Sequence, residues 1–160
     1  MGVTDSTDAC HRAALRLLSY HWRSTRELRD KLAEKGYDAP AIRETLERLV
    51  EEKWLDDERF ARELARSRFR KGIGKLRIVR ELSELGISDS MAKAAIAEAV
   101  GDEPEEEHLA AAFRKRVRIL SRRLGEGFVE TEDGRNKLIS YLLKQGYEYG
   151  AITALLEKKA

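Results

Sequence analysis

The sequence predicts an all-α protein: three tandem three-helix, helix-turn-helix-like repeats forming an elongated, curved body. Three observations carry that expectation. First, the chain aligns on itself at three glycines, Gly36, Gly86 and Gly146. Eight residues before each stand Leu28, Ile78 and Leu138, and four before stand Leu32, Leu82 and Leu142. One residue after come Tyr37, Ile87 and Tyr147; six after, Ile42, Ala92 and Ile152; ten after, Leu46, Ile96 and Leu156. Apolar residues four apart form the buried stripe of a helix, and a glycine at the end of one suits a left-handed cap. Second, the 160 residues are 38% charged and 42% hydrophobic with only two prolines, the mixture of well-solvated helices rather than of a disordered chain. Third, strand-like alternation is absent apart from short ambiguous apolar runs.

In the first repeat, residues 10–21 place Ala14, Leu15 and Leu18 on one helical face. Ser24-Thr25-Arg26-Glu27 reads as a capping box opening the second helix. The third begins near Pro40, with Asp38 as its cap. In the second repeat, Asp56, Asp57 and Glu58 favour a helix start, and that helix runs to about Lys71 before Gly72 and Gly74 break it. The next helix carries Ile78 and Leu82; Ser88 caps the last, which ends by Gly101. In the third repeat, Leu109, Phe113, Val117, Leu120 and Leu124 form an apolar stripe. Gly125 and Gly127 end that helix, and an exposed loop is expected over 125–134. The boundaries are therefore a flexible tail at 1–9, repeats at 10–54 and 55–101, and a third at 102–160 that opens with an acidic linker, 102–107. Each repeat alone has few apolar residues, so stacked neighbours are expected to extend one core. Trp22, Trp54, Tyr20 and Tyr141 sit beside helical apolar positions and are expected to pack rather than to stack bases.

Several function classes fall away. No run of apolar residues is long enough for a membrane span, and MGVTDSTDA lacks the apolar stretch of a secretory signal. The single cysteine, Cys10, fits a reducing compartment, hence a cytoplasmic protein. His11, His21 and His108 are scattered and do not pair with Cys10 at ligand spacing, so no metal site and no cofactor are expected. Gly72-Ile73-Gly74-Lys75 lacks the leading glycine and the Ser/Thr of a phosphate loop, and no strand precedes it. No catalytic constellation is visible, and the protein is read as a non-enzyme.

The formal net charge is only +2. Residues 61–80, however, hold eight Lys+Arg against one Asp+Glu, and residues 113–124 hold six against none. Between them, 81–112 holds one against nine. Such islands create local fields suited to polyanions. Arg62, Arg66 and Arg70 stand four apart on one helix, flanked by Arg68 and Lys71; Lys75, Arg77 and Arg80 follow the glycine break. Arg114, Arg118 and Arg122 repeat the stripe beside Lys115. These twelve cations are the candidate binding site, suited to the phosphates of a nucleic acid and equally to an acidic protein surface. Reversing Arg66, Arg70 and Arg77 is expected to weaken binding without unfolding.

The stretch Trp54-Leu55-Asp56-Asp57-Glu58-Arg59-Phe60-Ala61, with Arg68, Gly72, Arg77-Ile78, Glu81-Leu82 and Leu85-Gly86-Ile87, resembles the RecX family of recombination regulators. Ser24, Glu27-Leu28, Leu32 and Lys35-Gly36-Tyr37 support the resemblance, which covers residues 10–100 well and the third repeat more weakly. It implies a bacterial protein that binds the RecA–DNA filament and mainly inhibits the recombinase, ATPase and coprotease activities of RecA in DNA repair and homologous recombination. It also implies weaker, non-specific binding to single- and double-stranded DNA. A monomer without a membrane partner is expected. The competing reading is a helix-turn-helix protein acting in transcription. Against it, its would-be recognition helices are of mixed charge.

Overall fold

A computed structural model describes residues 3–101 and 103–159. Among these residues the secondary structure is helical throughout: α1 (Val3–Tyr20), α2 (Thr25–Glu34), α3 (Ala39–Glu51), α4 (Asp57–Arg70), α5 (Lys75–Glu84), α6 (Asp89–Val100), α7 (Glu105–Leu124), α8 (Glu132–Gln145) and α9 (Tyr149–Lys159), with a 3₁₀ turn at Phe128–Glu130. Local chemistry sets the starts. The Ser24 hydroxyl accepts from the Glu27 amide while the Glu27 carboxylate accepts from the Ser24 amide, a complete capping box. Asp38, Asp56, Ser88 and Thr131 each cap their helix by accepting one first-turn N–H. Gly36, Gly86 and Gly146 take φ of +89°, +81° and +95°, the left-handed conformation that ends α2, α5 and α8.

The helices fall into three groups of three, and each group closes its own core. Leu28, Leu32 and Leu49 join Cys10, Ala14 and Ile42 in the first. Phe60, Phe69, Ile78, Leu82 and Ile96 build the second, and Leu109, Phe113, Leu138, Leu142, Tyr147 and Ile152 the third. The self-alignment positions are buried as expected, except that Tyr37, Leu46 and Leu156 are half-exposed. One expectation fails here: the cores stay separate instead of merging into one. The chain is correspondingly extended. It exposes 10394 Å² of surface, where a compact monomer of 18.3 kDa exposes about 8100 Å².

What joins the groups is a repeated polar contact. The start of α2 abuts the turn after α5: the Ser24 hydroxyl donates to the Leu85 carbonyl at 2.6 Å, and the Arg26 side chain lies over Gly86. Asp57 Oδ1, from the first turn of α4, accepts from the Thr25 amide and hydroxyl at 2.8 and 3.1 Å. The start of α5 abuts the turn after α8 in the same way. The Gly74 amide donates to the Gln145 carbonyl at 2.7 Å and the Leu76 amide to the Gly146 carbonyl at 3.1 Å. The two backbones meet so closely that a Cβ on Gly74 would stand 2.5 Å from the Gly146 oxygen. Gly72 and Gly74 thus serve this joint rather than a phosphate loop. The Tyr147 hydroxyl, facing the Gly72 and His108 carbonyls at 3.2 and 3.3 Å, closes it from the core side.

Four further expectations need correction. Residues 3–9 of the expected tail belong to α1, because Thr7 donates to Glu44 and His11 pairs with Glu52 at 3.0 Å, anchoring that end of α1 on α3. Within the expected acidic linker, Glu105–Glu107 form the first turn of α7, where carboxylates favour the positive end of the helix dipole. The expected loop 125–134 contains the 3₁₀ turn, and α8 starts at Glu132 because Thr131 caps the Gly134 amide. Finally, Tyr20, Trp22 and Trp54 are 75%, 52% and 61% exposed. Trp22 and Trp54 border a groove of about 830 Å³ between the first two groups, also lined by Val50 and Met91. Tyr141 packs as expected, half-buried under the Arg116 guanidinium at 4.4 Å, and the exposed Trp22 ring is still covered by the Arg59 guanidinium at 4.4 Å.

Candidate functional site

The apolar residues Phe60, Ala61, Ala65 and Phe69 bury one side of α4 and turn its arginines outward. The structure then divides the first basic island. Arg62 and Arg66 both reach the Glu98 carboxylate on α6, at 3.7 and 2.8 Å, and Arg66 also meets Glu63 at 3.5 Å. Arg70 is exposed and donates weakly to the Arg66 carbonyl at 3.4 Å. Arg68 faces inward instead. Its guanidinium grips the half-buried Glu81 carboxylate of α5, with Nε at 2.8 and 3.0 Å from the two oxygens and an Nη on one of them. The bidentate Arg68 contact holds the Glu81 carboxyl below the usual range against the opposing effect of burial, with help from the nearby Arg77 and Lys71 charges. Arg68 is therefore a clamp between two helices and not a free phosphate contact.

Lys71, Lys75 and Arg80 are exposed, without an ion pair among the described residues. Arg77 is exposed but sits on the joint, its Nη1 donating to the Gln145 side chain at 3.3 Å and facing the Lys144 carbonyl at 3.5 Å. Arg66, Arg70 and Arg77 are exposed as expected, and reversal of Arg66 and Arg77 would also break these intramolecular contacts.

The second island is freer. Leu109, Ala112, Phe113 and Leu120 bury one side of α7, and Arg114, Lys115, Arg118 and Arg122 stand exposed on the rest, without a carboxylate partner among the described residues. The two islands adjoin in space. Phe69 meets the His108 ring of α7 at 5.1 Å between centroids, and a Cβ placed on Gly72 would stand 3.7 Å from the Ala112 Cβ. The end of α4 bearing Arg70 and Lys71 therefore rests on α7 just before Arg114 and Lys115.

Sequence patterning did not single out Lys144, which lies beside Arg77 and Arg80 in a groove of about 260 Å³ with Leu76, Leu143 and Tyr149. A signal existed: Leu143 falls outside the four-residue offset that Leu138 and Leu142 define, so it had to point away from the core. Among the described residues no group of three or more His, Cys, Asp or Glu side chains is placed to hold a metal ion, and no helix is long and apolar enough to cross a membrane.

Residues 10–49 match the family description "RecX, first three-helix domain" and residues 56–96 "RecX, second three-helix domain". The chain is 34% identical over 149 residues to a regulatory protein RecX of Halorhodospira halophila, covering 93% of this chain and 87% of the relative. A regulatory protein RecX of Xanthomonas axonopodis pv. citri is 33% identical over 141 residues, covering 88% and 82%. The RecX of Oceanobacillus iheyensis is longer: the chain matches 57% of it at 29% identity, along 99% of its own length. The fold is that of the crystal structure of RecX from Lactobacillus salivarius, with a TM-score of 0.79 at 22% identity over 98% of this chain and 97% of that one. Profile, relatives and fold agree, and the chain belongs to the RecX family of regulatory proteins.

Proposed function

We propose that this protein binds the RecA–DNA filament as a monomer in the bacterial cytoplasm and modulates, mainly by inhibiting, the recombinase, ATPase and coprotease activities of RecA. One observation supports the mechanism: Lys71, Lys75, Arg114, Lys115, Arg118 and Arg122 are exposed, without an ion pair among the described residues, on neighbouring segments of an extended chain. Cations of this kind meet phosphates by releasing condensed counterions, which gives sequence-independent and salt-sensitive binding. The extended body supplies length to follow a filament, and non-specific contact with single- and double-stranded DNA follows from the same cations. The reaction chemistry belongs to the recombinase, and this chain acts as a ligand of the filament.

The transcription reading gains no support from the helices that would enter a groove. On α6 the lone lysine, Lys93, is paired with Asp89 at 2.7 Å, and on α3 Arg48 is paired with Glu52 at 2.8 Å, which leaves Arg43 as the one cation of these two helices without an ion pair among the described residues.

The test is DNA-dependent ATP hydrolysis by RecA with this protein titrated in. Inhibition well below one regulator per recombinase is the expected result. No effect at any ratio, together with tight sequence-specific binding to naked duplex, would replace this reading with the transcriptional one.

A further inference from the structure

The groove between α5 and the α8–α9 turn differs in character from the unpaired cations on α7. Leu76, Leu143 and Tyr149 are 46%, 43% and 61% exposed there. Three apolar side chains left in water around one concavity are a cost to the free protein that a partner's apolar groups would remove. Arg77, Arg80 and Lys144 line the same space against a single carboxylate, Glu148. Among the described residues neither Arg80 nor Lys144 has an ion pair, and Arg77 engages only one guanidinium nitrogen at the joint. The position is rigid, because the Gly74–Gly146 backbone contact and the Tyr147 hydroxyl lock the walls together.

We propose that this groove seats a segment of a partner protein in which carboxylates flank apolar side chains. The excess of cations selects an acidic partner. The two aliphatic walls, with only one aromatic ring, suit leucine-like side chains better than nucleobases, which need ring faces to stack upon. The partner's apolar groups meet Leu76, Leu143 and Tyr149, and its carboxylates meet Arg80 and Lys144. Desolvated apolar contact at the centre with charge pairs around it is the usual anatomy of a strong small interface. This deepens the proposed function by giving the filament reading a contact with protein as well as with DNA. It rests on that reading only for the identity of the partner.

The experiment needs neither RecA nor DNA. A display library of random short peptides is selected on the immobilised full chain and counter-selected on Arg80→Glu/Lys144→Glu. The expected outcome is enrichment of peptides combining Asp or Glu with Leu, Ile, Met or Phe. Fluorescence anisotropy should then show affinity at least tenfold weaker for the double variant and for Leu143→Ser. All three positions are exposed, and circular dichroism checks that the variants fold. Enriched peptides lacking either acidic or apolar residues, or binding equally well to the variants, overturn the proposal. So does an oligo-dT probe that loses binding to the double variant while the selected peptides do not. A dimer in sedimentation that the double variant abolishes would assign the groove to a second copy and overturn it as well. Because recombinase inhibition is measured separately, failure here leaves the filament reading standing, and failure there leaves this one.

Discussion

Replacing Gly74 by serine sets local helix chemistry against tertiary contact and predicts which wins. Gly74 is the N-cap of α5 at φ −80° and ψ 162°, a conformation open to any residue, and it makes no side-chain cap. Serine is a better N-cap than glycine by a few tenths of a kcal/mol, so helix propensity alone expects a small gain. The structure expects the opposite. The new Cβ would lie 2.5 Å from the Gly146 oxygen, 2.6 Å from its carbonyl carbon and 2.8 Å from the Tyr147 nitrogen, all backbone atoms that cannot rotate aside. Restoring an ordinary contact of 3.4 Å requires the walls to part by nearly 1 Å. At that separation the 2.7 Å bond from the Gly74 amide and the 3.1 Å bond from the Leu76 amide are both broken or badly stretched. Two backbone bonds are worth about 1–3 kcal/mol together, several times the capping gain. Native-state hydrogen exchange reads this directly: at about 2 kcal/mol the Leu76 amide exchanges roughly 30-fold faster, while amides inside α2 are unaffected. The matched control is Ser24→Gly at the equivalent position of the first joint, which removes only the capping bond and the 2.6 Å bond to the Leu85 carbonyl. A Gly74→Ser protein with a more protected Leu76 amide and a higher urea midpoint would refute the claim that backbone contact sets this joint.

Other outcomes follow from the same geometry. Arg68→Ala leaves the half-buried Glu81 carboxylate without its partner and should cost about 2 kcal/mol in urea denaturation, whereas Arg68→Ala/Glu81→Ala should cost less than the single changes predict, a non-additivity that a double-mutant cycle measures. Because Arg68 depresses the Glu81 carboxyl, the stabilisation is present above its ordinary titration range and lost as pH falls through the depressed value; Glu81→Gln should flatten the stability profile on the acid side. Burial, then the Glu105 charge and Tyr141, push the Tyr147 hydroxyl from 10.0 up to about 12, so its contribution is full below pH 10 and disappears between the two values; Tyr147→Phe should cost about 1 kcal/mol at neutral pH and remove that alkaline loss. Arg114→Glu/Arg118→Glu/Arg122→Glu should lower the salt dependence of DNA binding by about 0.9 for each phosphate no longer neutralised, with unchanged circular dichroism; an unchanged slope would remove α7 from the site.

Much of the fold was legible because its determinants are local. The four-residue offsets of Leu28 and Leu32, Ile78 and Leu82, and Leu138 and Leu142 state which side of each helix is buried. Ser24, Asp38, Ser88 and the three aligned glycines mark starts and stops within a turn of themselves. The two basic islands were equally visible, since charge counting needs no geometry. Their division was not. Arg68 and Arg70 are two residues apart on one helix, yet one is clamped to Glu81 and the other is exposed. The difference lies in which neighbouring helix each side of α4 faces. Trp22 and Trp54 likewise stand between helices, where apolar spacing says nothing of exposure, and the packing of two neighbouring groups leaves them in a groove. The joints are the clearest case. They depend on the absence of a Cβ at Gly74 and on carbonyls about seventy residues further along the chain, at Gln145 and Gly146. The helices, their buried faces and the amount and sign of charge are written in the residue order, because those follow from interactions within a few residues. Which cations stay free, which aromatics face water and how the three cores meet emerge from helix packing, because each depends on atoms that approach one another only once the helices have packed.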